Sequence, residues 1–551
     1  MNIGIISINM YTKGLNFACP LHTYAFQQFL LRNGVETTVI DYKPVYYGTY
    51  DLRHPADFYE RLCEARVRAN NLEGLDELIE KRDGYKALYH EREVRYDKFQ
   101  KFIDTRYIKT ERCYDSDLLE VEDPGFDCYI CATDVIWKKE PNKGFDRGFF
   151  LASKAMENKK KIAYAASRGV FFAENEHDES QFFHYVNDID FIGVREESLK
   201  DYIEEGTGRQ VAMVLDPVML NERSFYDEIA QKPSVDNYLF VYYVMEQARD
   251  TLDQAVAYAR AHNLRIVELT DRPLPQGRLS HIDDVEVIYR YDVGIEEWLG
   301  YFKYADVVFT NSFHASCFSI LFEKEFFVGS RNGDKVTNVL RQFGLSDRRF
   351  NRDTDLLGNP PAPIDYEVVG KLLEEKRAES AAWILDAIHS LETSPREPHD
   401  YRPFKEALSY PLLYNSRAKG ASVTSNYAEG EGDIKRLKSG SLELTSNELA
   451  RNNGSSRFLP NRFKREGYLF CGWNLRIKID NRWFWLLDDG TLTLTDGYRE
   501  DVDGPRRVFE EGDPVPFLDV GNINTAVAEA CWKPTLARRA RTRLRKLVKG
   551  K

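Results

Sequence analysis

Eight cysteines in 551 residues are too few for a disulfide scaffold. They fall mainly inside apolar runs such as "FDCYICATD", which suits reduced, buried thiols. Cys128 and Cys131 have C-x-x-C spacing but no partner pair, so strand packing is the default reading over zinc or redox chemistry. No run approaches the roughly 20 apolar residues of a membrane span. The opening "MNIGIISINMYTKG" lacks a basic n-region, so it does not read as a signal peptide. An excess of positive charge is also missing. The 76 Lys and Arg against 88 Asp and Glu leave a net charge of −12 and a pI near 5.5. Nucleic-acid binding needs concentrated positive charge, so no nucleic-acid partner is expected. A cytoplasmic location is.

What is present is a globular composition, 43% hydrophobic and 30% charged, on a chain too long for one core. The first forty residues read as strand, helix, strand. "IGIISI" is apolar throughout, and "PLHTYAFQQFLLRNG" places Leu21, Ala25, Phe26, Phe29 and Leu30 on one helical stripe that ends at Gly34. "VETTVIDY" then resumes a strand. The alternation recurs at "FDCYICAT", "KKKIAYAAS", "DFIGVREES" and "VAMVLDP", predicting a helix-covered parallel sheet over residues 1–222. A charged, Tyr-rich helical insertion interrupts it at about 50–109. A second series, from "NYLFVYYV" to "DVVFT" and a closing helix, predicts another such domain over 223–395.

Ser, Gly and Asn enrichment suggests a linker over 396–456. Period-2 alternation and an Asp-Gly turn then predict a small β-module over 457–520. For its Trp473, Trp483 and Trp485, a compact aromatic core is the first reading and carbohydrate stacking the second. The end, 521–551, contains "KPTLARRARTRLRKLVKGK", which has no acid. There Leu536, Ala540, Leu544 and Leu547 would share a helical face ringed by Arg and Lys. A peripheral helix on an anionic membrane and a solvated tail both fit this pattern.

Ligands of open α/β sheets sit beyond the carboxyl ends of strands. Four such ends are polar here: "NFACPLHTYAF" with Asn16, "CATDVIWKKEPN" with Asp134 and Trp137, "GVREESLKDY" with Arg195, and "FTNSFHASCFS" with Asn311, Ser312 and His314. Ser312 is a candidate N-cap, which would put His314 in a first helical turn whose free N–H groups attract anions. Arg331 and Lys335 follow in "GSRNGDKVTNVL". Imidazole, arginine, lysine and a helix start together suit a small, multiply charged anion; scattered capping and surface charge is the alternative. No metal-ligand cluster is evident, and no metal or cofactor is expected.

These segments resemble the polysaccharide pyruvyl transferase family. Typical members read N-Y-G-x-x-L-Q-x-Y-A-L, G-S-D-Q-V-W, Y-A-A-S-x-G, V-R-E-x-S, L-D-P-T-L-L and T-N-S-F-H-G-x-x-F-S. This chain has "NFACPLHTYAF", "ATDVIW", "YAASRG", "VREES", "LDPVML" and "TNSFHASCFS" in the same order, over about the first 360 residues. It departs at Ala18 (Gly), His22 (Gln), Ala132-Thr133 (Gly-Ser) and Ala315 (Gly), each adding a side chain near the expected cleft.

The resemblance implies an α/β fold of two Rossmann-like domains, GT-B-like, with phosphoenolpyruvate as co-substrate between them and the β-rich module outside the family. It implies transfer of the enolpyruvyl group to a sugar of a cell-surface or lipid-linked glycan as a pyruvate ketal, with release of phosphate. Arg195, His314 and Lys335 would hold the donor, with Asn311, Ser312 and Arg331 beside them. His314 is the expected proton donor and Asp134 the expected base or orienter. Asn16 and Trp137 are the expected acceptor contacts. The tail would keep the enzyme at the inner face of the membrane. A GT-B glycosyltransferase using a nucleotide sugar, or a glycan-binding paralogue without activity, are the alternatives.

Overall fold

The computed structural model describes residues 1–44, 47–48, 50–68, 74–139, 144–169, 176–244, 249–329, 334–393, 409–424, 432–446, 449–451, 456–479, 482–487, 492–495, 507–516 and 523–535. These pack as two units. One lies within Met1–Lys138, Asp146–Phe172 and Tyr185–His399; the other lies within Lys139–Phe145, Ala173–His184 and Asp400–Lys551.

The first unit contains two parallel sheets. β1 (Ile3–Ile6), β2 (Thr37–Tyr42), β3 (Lys109–Tyr114), β4 (Cys128–Asp134), β5 (Lys160–Ala166), β6 (Phe191–Val194) and β7 (Ala212–Met213) align in the order β3-β2-β1-β4-β5-β6-β7. β8 (Tyr238–Tyr243), β9 (Arg265–Thr270), β10 (Val287–Arg290), β11 (Val307–Thr310), β12 (Glu325–Gly329) and β13 (Arg349–Phe350) align as β10-β9-β8-β11-β12-β13. Helices cover both faces of such sheets, which is why "IGII" and "YLFVYY" are buried at every position rather than alternately. Each order runs outward from its first strand, reverses, and runs the other way. The reversal points are β1/β4 and β8/β11. This is the expected Rossmann-like pair.

Three helices, Pro55–Arg68, Leu75–Ala87 and Tyr89–Arg106, occupy the insertion between β2 and β3. The last of them joins the two halves. Buried Arg92 donates to the carbonyls of Lys13, Gly14 and Leu52, and lies 3.4 Å from the Tyr291 hydroxyl. Buried Arg95 donates to the carbonyls of Leu15 and Thr270, and its guanidinium lies 4.2 Å from the centre of the Phe17 ring. Phe17 in turn stacks on Trp298 of the second half at 5.5 Å.

The helix Tyr366–Thr393, assigned above to the second domain, also spans both halves. The Tyr366 hydroxyl donates to the Lys324 carbonyl, whereas Ile384, Ala387, Ile388 and Leu391 pack with the core of the first sheet.

In the second unit, β14 (Ser409–Tyr410), β15 (Leu412–Asn415), β16 (Ser422–Val423), β17 (Gly432–Arg436), β18 (Leu442–Ser446) and β19 (Ala450–Arg451) lie where a linker was expected. β15, β17 and β18 join β21 (Tyr468–Ile479), β22 (Arg482–Leu486), β23 (Leu492–Thr495), β24 (Val508–Phe509) and β25 (Ile523–Pro534) in one eight-stranded sheet. β20 (Phe463–Lys464) pairs with β16. The module therefore begins near Ser409, and the segment assigned to the tail contributes β25 at its centre. The four positions of the expected amphipathic face lie outside the described residues. Trp473 is fully buried, with its N–H donating to the Leu459 carbonyl at 3.2 Å, and Trp485 is 2% exposed. Trp483 is half-buried, with Arg476 over its ring at 4.4 Å.

Candidate active site

The strand ends of both halves of the first unit converge on one buried charge cluster. Arg195 directly follows β6, and its guanidinium is enclosed by carboxylates. Nη2 lies 2.6 Å from Asp134 Oδ1, Nη1 bonds Asp216 Oδ2, and Nε is 3.7 Å from Glu196 Oε1. Burial works against its charge, but Asp134, Asp216 and Glu196 outweigh it and raise the group above its ordinary value, so it stays protonated.

Asp134 ends β4 with φ at 67°, a left-handed conformation that costs a non-glycine residue on the order of 1–3 kcal/mol. Backbone bonds hold it there: its carbonyl accepts from Ile136 at 2.7 Å and Ser167 at 2.9 Å. Burial opposes its ionisation, but Lys335, then Arg195 and His314, keep the carboxyl well below the usual range. Asp216 caps the short turn Pro217–Leu220, with Oδ1 accepting from the Val218 N–H at 3.2 Å. Burial is again outweighed, by His314 and Arg195, so it too stays ionised.

The second half supplies the remaining groups. Ser312 caps the helix Phe313–Leu321 as expected, its Oγ accepting from Ala315 N at 3.4 Å. That cap sets His314 in the first turn, 6% exposed, with Nε2 at 3.5 Å from Asp216 Oδ2. This separation is ion-pair reach at the limit of a hydrogen bond. Lys335 opens the helix Lys335–Gln342 and extends Nζ to 3.6 Å from both Asp134 Oδ1 and Glu196 Oε1. Phe313 lies under Arg195 at 4.5 Å.

Of the residues expected from sequence, His314, Asp134, Arg195 and Lys335 thus meet, with Ser312 two positions before His314. Others do different work. Asn311 is buried and grips the backbone of Val244, Oδ1 accepting from its N–H at 2.9 Å and Nδ2 donating to its carbonyl at 3.0 Å. It fixes the backbone where β8 ends, a structural task. Trp137 is fully buried, stacked on Phe150 at 5.5 Å, with its N–H donating to the Phe149 carbonyl at 3.2 Å. An indole so enclosed offers no face to a sugar, which corrects the acceptor reading. Asn16 is half-buried and spends Oδ1 on Ala18 N at 3.0 Å, at the start of the helix Ala18–Arg32. Arg331 lies outside the described residues.

Sequence reasoning passed over Asp216, Glu196 and Cys19, although all three stand inside the quoted segments, and it marked His22 only as a departure from the family pattern. His22 stacks against His314 at 5.6 Å between ring centres. Burial first, and then His314, pushes its pKa down to about 3, so it is neutral. Burial also raises the Cys19 thiol. Cys19, His22 and Asp134 each bring one ligand-capable atom within 4.8 Å of the others, a grouping able to hold a metal ion.

Among solved structures, the chain is similar to a kitacinnamycin glycotransferase (10% identity, 71% of this chain and 98% of that one, TM-score 0.36). It is similar also to the UDP-GlcNAc 2-epimerase of Neisseria meningitidis (10% identity, 71% and 100%, TM-score 0.36). Likeness this loose says nothing of what this chain acts on. No curated protein matches it. The pattern of the polysaccharide pyruvyl transferases, in contrast, matches residues 21–332, more than half of the chain and the span that carries Asp134, Arg195, Asp216 and His314. The chain belongs to the polysaccharide pyruvyl transferase family and is a transferase of polysaccharide biosynthesis.

Proposed function

We propose that this transferase moves the enolpyruvyl group of phosphoenolpyruvate onto two hydroxyls of a sugar in a cell-surface or lipid-linked glycan, forming a cyclic pyruvate ketal. The observation that carries this reading is the convergence of His314 and Lys335 from one half with Arg195, Asp134 and Asp216 from the other, at the strand ends. A cluster built from both halves can organise around a ligand lying between them.

The chemistry asks for a proton on the donor's methylene carbon, which makes C2 electrophilic. One sugar hydroxyl then adds to C2, phosphate leaves, and the second hydroxyl closes the ring. Of the two hydroxyl protons, one balances that given to the methylene and the other departs with phosphate. His314 is the group suited to giving the first proton, because an imidazole can both carry and release one and Asp216 Oδ2 lies 3.5 Å from its Nε2. Asp134, ionised and clamped between Arg195 and Lys335, is suited to orientation more than to proton removal. Arg195 would act through its charge and by fixing both aspartates; Lys335, with one mobile ammonium, is the more adaptable partner for the departing phosphate.

The test is acceptor-dependent phosphate release from phosphoenolpyruvate across a panel of sugars. His314→Ala is expected to lower turnover by about 10²–10⁴-fold, with folding checked by circular dichroism. Turnover of a nucleotide sugar in place of phosphoenolpyruvate would sink the assignment, and full activity of the folded alanine variant would remove His314 from the mechanism.

A further inference from the structure

A thiol, an imidazole and a carboxylate meet where the order of the first sheet reverses, and the transfer chemistry leaves two of them without a task. Cys19 and His22 stand three residues apart in the first turns of Ala18–Arg32, a spacing that sends both side chains to one face. Asp134 reaches them from the end of β4. Cys19 Sγ and Asp134 Oδ2 are 3.9 Å apart, close to the ~3.6 Å that sulfur and oxygen ligands keep at a tetrahedral zinc with ordinary bond lengths. Cys19 is 1% exposed and His22 fully buried.

The histidine supplies an independent observation. Its Nδ1 lies 3.3 Å from Thr23 Oγ1, and that hydroxyl is in turn 3.0 Å from the Cys19 carbonyl. Its Nε2 is buried with no hydrogen-bond partner among the described residues. An orphaned buried nitrogen is costly and calls for an occupant. With Thr23 accepting the Nδ1 proton, the lone pair is on Nε2, and the outer contact fixes the ring as it does around metal-bound histidines.

Charge argues the same way. Asp134, Asp216 and Glu196 face Arg195, Lys335 and His314, the last as the proton donor of the transfer. Cations and carboxylates are then equal in number, so the described cluster has no excess positive charge for a multiply charged anionic donor until a further cation joins it.

We propose that Cys19, His22 and Asp134 form a three-ligand site for a zinc-class divalent cation, with its remaining coordination position open to an oxygen of the donor. Thiolate, imidazole and carboxylate together suit zinc, and three protein ligands with one open position is the arrangement of catalytic zinc. The donor part rests on the pyruvyl-transfer reading; the ion-binding part does not.

Chelator-stripped full-length protein titrated with cobalt(II) tests the ion site through the thiolate-to-cobalt charge-transfer band. One equivalent should bind and zinc should displace it. Cys19→Ser and His22→Gln, each checked for folding by circular dichroism, should weaken binding by about 100-fold. The glutamine variant installs the residue type usual in the family, so it decides the matter if the serine variant misfolds. No stoichiometric band, or a band that survives His22→Gln, overturns the site. Calorimetry with phosphoenolpyruvate on stripped and zinc-loaded protein then tests the open position, and equal affinity would overturn it. Cobalt binding without any phosphoenolpyruvate binding would keep the ion site and sink the transfer reading. Full transfer by metal-free protein would keep the transfer reading and overturn the donor's contact with the ion.

Discussion

One oxygen carries much of the site. Asp216 Oδ2 receives Arg195 from the first half and faces His314 from the second, so both groups take their position from the same carboxylate. A second carboxylate, Asp146, shows what burial does without a cation. It accepts from the Tyr42 hydroxyl and the Gly148 N–H, while its Oδ2 is buried with no hydrogen bond. Burial raises it from its ordinary 3.8 to about 6. Below pH 4 the group is protonated folded or unfolded and costs nothing. Between pH 4 and 6 the unfolded chain ionises first, so stability falls, by on the order of 2–3 kcal/mol above pH 6. The melting temperature of Asp146→Asn should therefore gain on that of the native protein as pH rises from 4 to 7. A constant difference across that range would refute the raised value.

At this scale the sequence was legible where the chemistry is local. Ser312 could be read as a cap, and His314 followed from it. Asp216 could not be singled out, because its importance lies in contacts with residues 21 and 98 positions away, which no local pattern encodes.

Among the elements, helix and parallel-strand signals were strong because their apolar runs are long and doubly buried. The segment taken for a linker was misleading for a physical reason. In "GDIKRLKSGSLELTS" only Ile434, Leu437, Leu442 and Leu444 are apolar, and Leu442 and Leu444 are the two that are buried. A strand with one face to solvent looks polar by composition even while it pairs, as β17 and β18 do over five positions.

The same oversight bears on the basic end. Lys533 and Pro534 belong to β25, and Thr535 donates to the Gly467 carbonyl at 3.0 Å through its backbone N–H. A truncation that probes membrane contact should therefore remove residues 536–551 and no more. We expect it to weaken binding to anionic vesicles several-fold while leaving turnover of a soluble acceptor intact; unchanged vesicle binding would dispose of the membrane idea. Among the described residues no helix is long and apolar enough to cross a membrane.

For the first unit as a body, the sequence showed two α/β series but not how they are tied. The ties are the buried arginines of the insertion and the 28-residue helix that starts against the second half and finishes on the first. That helix ends where the chain began, with the Met1 amino group 3.4 Å from Glu392. The path from Met1 to Thr393 is thus nearly a ring, and the crossing at Ser234–Asp236, where both polar residues are exposed and Val235 is half-buried, is only one of several seams around it. A break there should leave the pieces joined. With a protease site inserted between Ser234 and Asp236 and cut in the folded protein, the fragments should elute as one species without denaturant, and their separation would show that the covalent thread is the main bond.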